Sequence, residues 1–406
     1  MVKRTKVLAT MMAALITVSS LVGCGSKAKE ADVASTNTLK VWSHLTTAEV
    51  EAIKPIAEQW GKDNNVDVQL VEDKGDFQAY AQAANSSKGP DIYFGLAHDN
   101  LGTFNKVGLL AEVPTDLLNK SDYVSSDVFD AVTINGKQIA VPLAQESIAL
   151  FYNKDKISKI PETMEELVEL SKSVGFKFNI NDFYISYGFI GAQGGYIFGG
   201  EAGNLNSDDI GMDNEGGIKG YEFLNSLVKN GLISSEIDSE SAKASFASGE
   251  AAFYISGGWD VSELQKSGVN IGISIIPTLG GQGISTFLGV QSAFVSEKSQ
   301  NKDLAFQLLQ YLCNNEEVSQ IMMDKGNRLP ILKSIAESEN FKSNEIMANF
   351  AEQAKSAKPM PNIPEMQSVW GPGEQNIKLM LIGQLTPEEA AKNTVNEIRE
   401  NIEFNN

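Results

Sequence analysis

After its first three dozen residues the chain alternates short apolar runs with segments of helical periodicity. Residues 46–65 and 77–84 place apolar side chains three or four positions apart, as amphipathic helices do. Thr46 and Glu49 have the spacing of a capping box at the first helix start. Strand-like runs flank these helices at residues 39–43, 66–71 and 91–94. This order predicts a β-α-β-α-β unit and an α/β fold.

A second α/β series follows the first. Asn135 and Gly136 lie between β-prone runs in residues 132–141, which is a specific signal for a hairpin turn. Further strands are expected at residues 148–152, 251–255 and 271–276. Helices are expected at residues 162–174, 218–230 with Gly231 as the C-terminal cap, 302–312 and 387–402.

The N-terminal residues have the pattern of an export signal. Three cations, at positions 3, 4 and 6, precede an uncharged apolar stretch at 7–22 that is shorter than the ~20 residues of a membrane span. The stretch ends in Leu-Val-Gly-Cys, which resembles the bacterial lipobox. We expect residues 1–23 to be a lipoprotein signal peptide and Cys24 to carry the lipid; an uncleaved anchor or a chance cysteine is the alternative. Residues 24–37 are then the lipidated N-terminus and a flexible leash.

Composition narrows the range of functions. Of 406 residues, 42% are apolar, which suffices for two or three domains or one large two-lobed fold. The formal charge of -19 has the wrong sign for holding a nucleic acid backbone. With only two histidines and two cysteines, neither a disulfide framework nor a Cys/His metal cluster is expected, and no cofactor is predicted.

Many short blocks occur in one order along the chain. They are residues 89–92 (GPDI), 97–99 (AHD), 107–112 (VGLLAE), 135–137 (NGK), 141–142 (VP), 152–155 (YNKD), 194–196 (GGY), 246–252 (FASGEAA), 257–259 (GGW), 277–278 (PT) and 360–364 (MPNIP). Together they resemble the maltose-binding protein family, the extracellular sugar receptors of ABC importers. The similarity runs from about Thr38 to the C-terminus.

The resemblance implies a type II periplasmic-binding-protein fold, with two α/β lobes, three inter-lobe crossings and an interlobe ligand cleft. Crossings are expected near Ala144, Gly289 and Leu332. Lobe 1 would comprise residues 38–144 and 290–332, and lobe 2 residues 145–289 and 333–406. The expected protein is a monomeric, non-enzymatic receptor outside the cytoplasm. It would be tethered to the cell membrane by its lipid alone and would deliver an oligosaccharide to ABC permease subunits.

The resemblance also implies a set of ligand-binding residues. Asp99 and Glu146 match carboxylates that accept hydrogen bonds from sugar hydroxyls, and Asp182 stands where the family has a glutamate. Charged acceptors make such bonds about twice as strong as neutral ones. The aromatic side chains on which sugar rings would stack are Tyr184, Trp259 and Trp370. Trp259 follows two glycines and Trp370 precedes Gly-Pro-Gly at 371–373, so both are expected to be exposed in loops.

Several positions depart from the family pattern. An acidic and a basic ligand are missing after the first strand, where His44 and Thr46 are weaker candidates. Asn100 replaces an arginine, and Gly371 and Glu374 replace an aromatic residue and an arginine near the C-terminus. A tryptophan before the His-Asp pair is replaced by glycine and leucine at 95–96. The class of ligand is therefore better defined than its identity.

Three functions follow from these residues. The first is a receptor for maltose or maltodextrins, which are α-linked gluco-oligosaccharides. The second keeps the receptor and changes the ligand to a galacto-, xylo- or branched oligosaccharide. The third is a lipid-anchored glycoside hydrolase, because paired carboxylates beside aromatic residues also suit hydrolysis.

Some side chains have a structural interpretation as well as a functional one. His98 is expected to be a hydrogen-bonded structural histidine rather than a metal ligand. Asp99 could cap the helix that starts at Leu101 instead of binding sugar. Trp42 and Trp60 are expected in the core, and Cys313 is expected to be a buried, inert thiol.

Overall fold

The computed structural model describes residues 37–75, 77–86, 89–201 and 204–405. The predicted signal peptide, the lipidation site Cys24 and the leash as far as residue 36 lie outside the described residues. Within the described ranges, no helix has both the length and the apolar composition that crossing a bilayer requires.

The strands of the described residues are as follows, in chain order: β1 Asn37–Ser43, β2 Val66–Glu72, β3 Ile92–Ala97, β4 Thr133–Ile134, β5 Lys137–Gln138, β6 Val141–Glu146, β7 Ile148–Asn153, β8 Phe176–Lys177, β9 Gly199–Glu201, β10 Asn204–Asn206, β11 Phe253–Gly257, β12 Ile271–Ser274, β13 Phe287–Val295, β14 Leu329–Pro330 and β15 Lys358–Pro359.

The helices are α1 Thr47–Asp63, α2 Phe77–Ala84, α3 Leu101–Lys106, α4 Asp127–Asp130, α5 Met164–Val174, α6 Phe183–Ala192, α7 Glu215–Lys229, α8 Ser239–Ala247, α9 Val261–Ser267, α10 Lys302–Cys313, α11 Glu316–Gly326, α12 Lys333–Ala336, α13 Glu339–Ser343, α14 Glu345–Ala354, α15 Trp370–Leu381 and α16 Pro387–Asn405. Short 3-10 turns lie at Lys120–Asp122, His98–Asn100, Gly258–Asp260 and Pro364–Ser368.

A seven-stranded mixed sheet forms the first lobe, which we call the large-sheet lobe. Its order is β14-β6-β13-β3-β1-β2, and β15 pairs with β13. β1 runs parallel to β2 and β3, which confirms the predicted β-α-β-α-β unit. The side chains of Thr46 and Glu49 bond reciprocally to each other's backbone, so the predicted capping box at the start of α1 is also confirmed.

A four-stranded sheet, in the order β12-β7-β11-β8, forms the second lobe, the small-sheet lobe. The predicted strands near 148, 251 and 271 are three of its members. The predicted hairpin is confirmed as β4 and β5, and Asn135 and Gly136 take the positive φ values of 51° and 74° that such a turn requires.

The chain passes between the large and the small sheet at two places, after β6 and before β13. β6 belongs to the large sheet as far as Glu146, and β13 belongs to it from Phe287 onward. Ser147 and Thr286, which adjoin these strands, share a hydrogen bond of 2.9 Å between their hydroxyl oxygens. We therefore propose that the first two lobe boundaries lie at these two residues, each three positions from the expected crossing at Ala144 or Gly289. We propose that the third inter-lobe crossing lies near Leu332, because α14, in the helical segment after β14, packs against β7 and β12 of the small sheet.

The C-terminal helices mostly cover the small-sheet lobe. α14 packs against β7 and β12, while α15 and α16 pack against α7. We expected a loop at residues 370–373, but these residues form the first turn of α15. Pro372 is tolerated there because the first turn needs no backbone N–H donors. Gly373 is required by packing, since a Cβ at this position would lie 2.6 Å from the Phe183 ring.

Aromatic side chains fill much of the interior. All nine residues of β13 are buried, as expected for a strand with neighbours on both edges and both faces covered. In the large-sheet lobe, the rings of Tyr93 and Phe294 stack at 5.6 Å. Trp60 is buried as predicted, and Trp42 packs edge-on against Tyr80. Cys313 is buried too, and burial raises the pKa of its thiol.

Candidate functional site

Three acidic side chains and a group of aromatic rings meet where the two lobes adjoin. Asp99 follows β3, and Glu146 ends β6. From the small-sheet lobe come Asp182 and Tyr184 at the start of α6, and Trp259 in the turn after β11. The charges of Glu146, Asp182 and Asp99 all act on the Tyr184 phenol, so the structure brings these predicted residues together.

Asp99 lies at the buried end of the site, with only 6% of its surface exposed. Gln367 donates to its carboxylate at 3.4 Å. Burial raises the pKa of Asp99 to about 7, hydrogen bonds from Gln367 and Trp370 partly offset this rise, and the Glu146 charge adds to it. The alternative role as a helix cap is wrong, because the N-cap of α3 is Asn100 and no side chain caps that helix end.

The two chain neighbours of Asp99 are buried and hydrogen-bonded. Asn100 is buried and donates to the Asp99 carboxylate at 3.1 Å and to the Ala97 carbonyl at 3.2 Å. His98 is fully buried; its Nδ1 accepts from the Val290 N–H, and its Nε2 donates to the Met360 carbonyl. Burial lowers the pKa of His98 to about 4. The structural interpretation of His98 is thus confirmed.

Glu146 has a cationic partner that the sequence analysis did not name. The Arg328 guanidinium donates from Nη1 to one Glu146 oxygen, and Gln291 donates to the other at 3.0 Å. Gly289 faces this carboxylate, and a Cβ there would lie 2.7 Å from the Glu146 Cγ. The carboxylate is thereby held on its protein side by two donors.

Arg328 bridges two acidic residues. Its Nε donates to Glu49 at 2.7 Å, and Glu49 is fully buried. Burial disfavours the charged guanidinium, but Glu146 and Glu49 outweigh that effect and raise the pKa of Arg328. Glu49 also accepts from the Thr46 hydroxyl at 2.8 Å, so a chain of hydrogen bonds joins Thr46 to Glu146.

The aromatic rings form one continuous group. Phe287 contacts Tyr184 at 5.6 Å, Trp370 at 5.8 Å and Tyr187 in a parallel stack at 4.4 Å between ring centroids. Trp259 lies 6.2 Å from Tyr184. The Tyr184 hydroxyl is buried and has no hydrogen-bond partner among the described protein atoms, which is uncommon for a buried polar group.

The two tryptophans differ in exposure. Trp259 is 46% exposed and its ring covers Gly257, where a Cβ would lie 2.2 Å from the indole. Trp370 is half-buried and meets Phe183 edge-on, so the expected exposed loop position is wrong for it. The helical start of α15 holds the Trp370 indole against the rings below it.

Asp182 and Glu374 lie on the helices beside this group. The Asp182 carboxylate caps α6 by accepting from the Tyr184 N–H at 2.9 Å, and burial raises its pKa. Burial and the Asp182 charge also raise the pKa of Glu374. Asp182 therefore has a structural role in addition to its predicted one.

His44 and Thr46 are not part of the cluster. His44 is exposed and its Nδ1 lies 3.3 Å from the Asp73 carbonyl oxygen. The Thr46 side chain is engaged in the cap of α1. The structure connects Thr46 to the site through Glu49 and Arg328.

Sequence reasoning missed Arg328, Phe287 and Gln367. One signal was available for Arg328, because the chain has only three arginines and the others are Arg4 and Arg399. Phe287 and Gln367 carry no local signal, since both act through partners distant in sequence. No group of three or more His, Cys, Asp or Glu side chains suited to a metal ion occurs among the described residues.

A cavity of about 720 Å³ adjoins the aromatic group on another side. It is lined by Tyr187, Phe287, Tyr196 and Met360 among others, and it contains none of the predicted ligand residues. Its lining is mainly apolar and lacks buried carboxylates. We therefore centre the candidate site on Asp99, Glu146 and the tryptophans.

Comparison with known proteins places this geometry in a family. The family described as "Bacterial extracellular solute-binding protein" matches residues 55–349. The galactooligosaccharide-binding protein of Bacillus subtilis is 31% identical over 394 residues, 91% of each chain. The maltodextrin-binding protein MdxE of the same organism is 29% identical over 412 residues, 97% of this chain and 96% of the relative.

A solved structure is also similar to this chain. The maltose-maltodextrin binding protein of Alicyclobacillus acidocaldarius superposes with a TM-score of 0.84 at 34% identity, covering 89% of this chain and all of that one. The fold class predicted from the sequence, two α/β lobes of the type II kind, is confirmed by this match. The chain belongs to the bacterial extracellular solute-binding protein family.

Proposed function

We propose that the protein is a receptor that captures maltose or maltodextrins and delivers them to an ABC transporter. The observation that carries the proposal is the meeting of Asp99, Glu146 and the unpartnered Tyr184 hydroxyl with Trp259 and Trp370. A pyranose has an apolar C–H face and a polar rim, so it needs aromatic platforms with charged acceptors at their edges. Named relatives that bind maltodextrins support this ligand class.

Capture requires no covalent step. The ligand would be bound reversibly between the lobes, and a few stacked rings with charge-assisted hydrogen bonds suffice for micromolar affinity, about -8 kcal/mol. We propose that Cys24 carries a diacylglyceryl anchor, that this anchor alone holds the protein on the outer face of the cell membrane, and that the protein acts as a monomer. The Leu-Val-Gly-Cys sequence supports the anchor.

A second ligand class has specific support. The relative that is 31% identical is named as a galactooligosaccharide-binding protein. Asn100, Gly371 and Glu374 depart from the maltose-binding pattern at ligand positions. A galacto-oligosaccharide is therefore the alternative ligand of the same site.

Titration calorimetry of the full-length protein in detergent distinguishes the two ligands. We expect micromolar binding of maltotriose and none of xylotriose or a β-galacto-trisaccharide. Binding of the galacto-trisaccharide alone would keep the receptor and replace the ligand, and no binding of any sugar would contradict the proposal. Chromatography of the recovered maltotriose should show it intact, whereas cleavage would indicate a hydrolase.

Loss of either tryptophan should weaken binding. We expect Trp259→Ala and Trp370→Ala each to reduce the binding free energy by at least about 1 kcal/mol, because each removes a stacking surface. Trp259→Ala should leave the melting temperature nearly unchanged, since the ring is 46% exposed, whereas Trp370→Ala should lower it by removing contacts with Phe183 and Phe287.

Tyr311→Ala is the matched control for these variants. Tyr311 is an exposed aromatic residue of α10, outside the site. Calorimetry should give it the affinity of the parent protein. Parental affinity in both tryptophan variants would remove the two rings from the ligand site.

A further inference from the structure

The turn between α11 and β14 makes contacts in two directions. It consists of Asn327 and Arg328 and is called the 327–328 turn below. Asn327 ends α11 in the left-handed conformation, with φ 50° and ψ 41°. Its N–H and that of Arg328 both bond to the Met322 carbonyl, so the backbone of the turn is fixed to the helix end.

The Arg328 side of the turn belongs to the large-sheet lobe. The guanidinium holds Glu146 and the fully buried Glu49 together. The preceding Gly326 permits this approach, because a Cβ there would lie 2.1 Å from the Glu49 carboxylate. This side therefore sets the position of the Glu146 carboxylate in the site.

The Asn327 side of the turn touches the opposite lobe. The side-chain amide of Asn327 donates from Nδ2 to the Ser262 hydroxyl at 3.1 Å. The backbone carbonyl oxygen of Asn327 lies against Gly258, where an added Cβ would be only 2.3 Å from it. Gly258 directly follows β11 of the small sheet and directly precedes Trp259. This side of the turn thus supports the backbone that carries the Trp259 ring.

We propose that the 327–328 turn is a positioning element that sets the spacing between the Glu146 carboxylate and the Trp259 ring across the two lobes. A ligand that accepts stacking from Trp259 and donates to Glu146 must match this spacing, so the turn contributes to affinity and ligand choice without touching the ligand. The inference rests on the proposed function for its ligand. The residues of the turn are adjacent, so a shift at Asn327 is transmitted to Arg328 through one peptide bond.

Asn327→Gly tests the Asn327 side. Glycine adopts positive φ without strain, so the variant keeps the backbone and loses only the side chain. Ser262→Ala removes the acceptor from the other lobe. We expect each variant to weaken maltotriose binding roughly three- to tenfold, which is the effect of one lost hydrogen bond. The double variant should bind maltotriose as tightly as either single variant, because both remove the same bond. The matched control is Asn65→Gly, another asparagine at positive φ (57°), which should bind as the parent does.

Removing the Trp259 ring distinguishes a positioning role of Asn327 from a role that does not involve this ring. In a Trp259→Ala background, Asn327→Gly should cause no further loss of affinity if the turn acts by positioning that ring. A full additional loss in this background would overturn the proposal, since it would mean that the amide acts through something other than Trp259.

A readout without ligand separates this inference from the proposed function. Hydrogen exchange followed by mass spectrometry reports on the backbone of residues 255–262 in the sugar-free protein. We expect faster exchange there in Asn327→Gly and in Ser262→Ala, and unchanged exchange in Asn65→Gly. If no sugar binds the parent protein, the proposed function fails while this measurement still decides the inference. Parental exchange in both variants would overturn it.

Discussion

Replacing Arg328 with methionine should lower the free energy of unfolding by about 3–5 kcal/mol. Methionine keeps the apolar stem of the side chain and removes the guanidinium. Glu49, fully buried, and Glu146, 17% exposed, are then left without their cation. An uncompensated charge in a poorly solvated site costs several kcal/mol, because desolvation is no longer offset by the partner.

Urea unfolding followed by circular dichroism measures this loss. Lys137→Met is the matched control, since Lys137 pairs with Glu112 at 2.8 Å with both side chains largely exposed. We expect the control to lose far less stability than Arg328→Met, because water screens an exposed ion pair. Adding Glu49→Gln to Arg328→Met should recover part of the stability, because glutamine removes one buried charge. An equal loss of unfolding free energy in Arg328→Met and Lys137→Met would contradict our explanation that the burial of Glu49 and Glu146 causes the loss.

Local patterns explain why much of the fold could be predicted. The capping box at Thr46 and Glu49 needs only residues three apart, and the turn at Asn135 and Gly136 needs only two neighbours. The burial of alternate residues in β2 likewise follows from the period of a strand. Such elements depend on chemistry within a few positions, so the sequence contains what determines them.

The remaining features of the site depend on contacts between distant segments. Arg328 meets Glu146 across 182 positions and Glu49 across 279, and no local pattern specifies either partner. The segment expected as a loop at residues 370–373 is helical, and the Trp370 ring and Gly373 pack on Phe183, a contact between distant positions that offsets the low helix propensity of glycine and proline. The candidate aromatic residues for sugar stacking were predicted from the family resemblance. The Phe287 ring, which contacts Tyr184 and Trp370, is apparent only in the structure.

The buried carboxyl group of Asp99 should make stability fall as the pH rises. Its pKa is about 7 in the folded protein, raised from 3.8 mainly by burial. Between about pH 4 and 7 the folded state therefore binds more protons than the unfolded state, so the free energy of unfolding decreases with pH in this window. A shift of about three units corresponds to at most about 4 kcal/mol for this one group.

The other titratable groups near Asp99 contribute equally to the parent protein and to a variant that lacks only the Asp99 carboxyl group. Burial lowers the pKa of His98 from 6.5 to about 4, so between these values only the unfolded state binds its proton. His98 therefore makes stability rise with pH, opposite to Asp99, and it does so equally in every variant compared. The Tyr184 pKa is raised well above its ordinary value by burial and by the neighbouring carboxylates, so the phenol stays protonated. Arg328 keeps its charge throughout because the pKa of its guanidinium is raised. The carboxylates of Glu146, Asp182 and Glu374 are present in every variant compared.

Asp99→Asn isolates the effect of Asp99. The parent protein should lose stability relative to this variant as the pH rises from 4 to 8, measured by urea unfolding at each pH. Asp116→Asn, the same change at an exposed position, should follow the parent at every pH. Sugar affinity should change in the opposite direction, because a hydroxyl donates best to the ionised carboxylate: parental affinity should rise from pH 6 to 8, while that of Asp99→Asn stays level and lower. A stability difference that is flat from pH 4 to 8 would mean that the Asp99 carboxyl group is solvated, and that the Asp99 end of the cleft is open to water in the sugar-free protein.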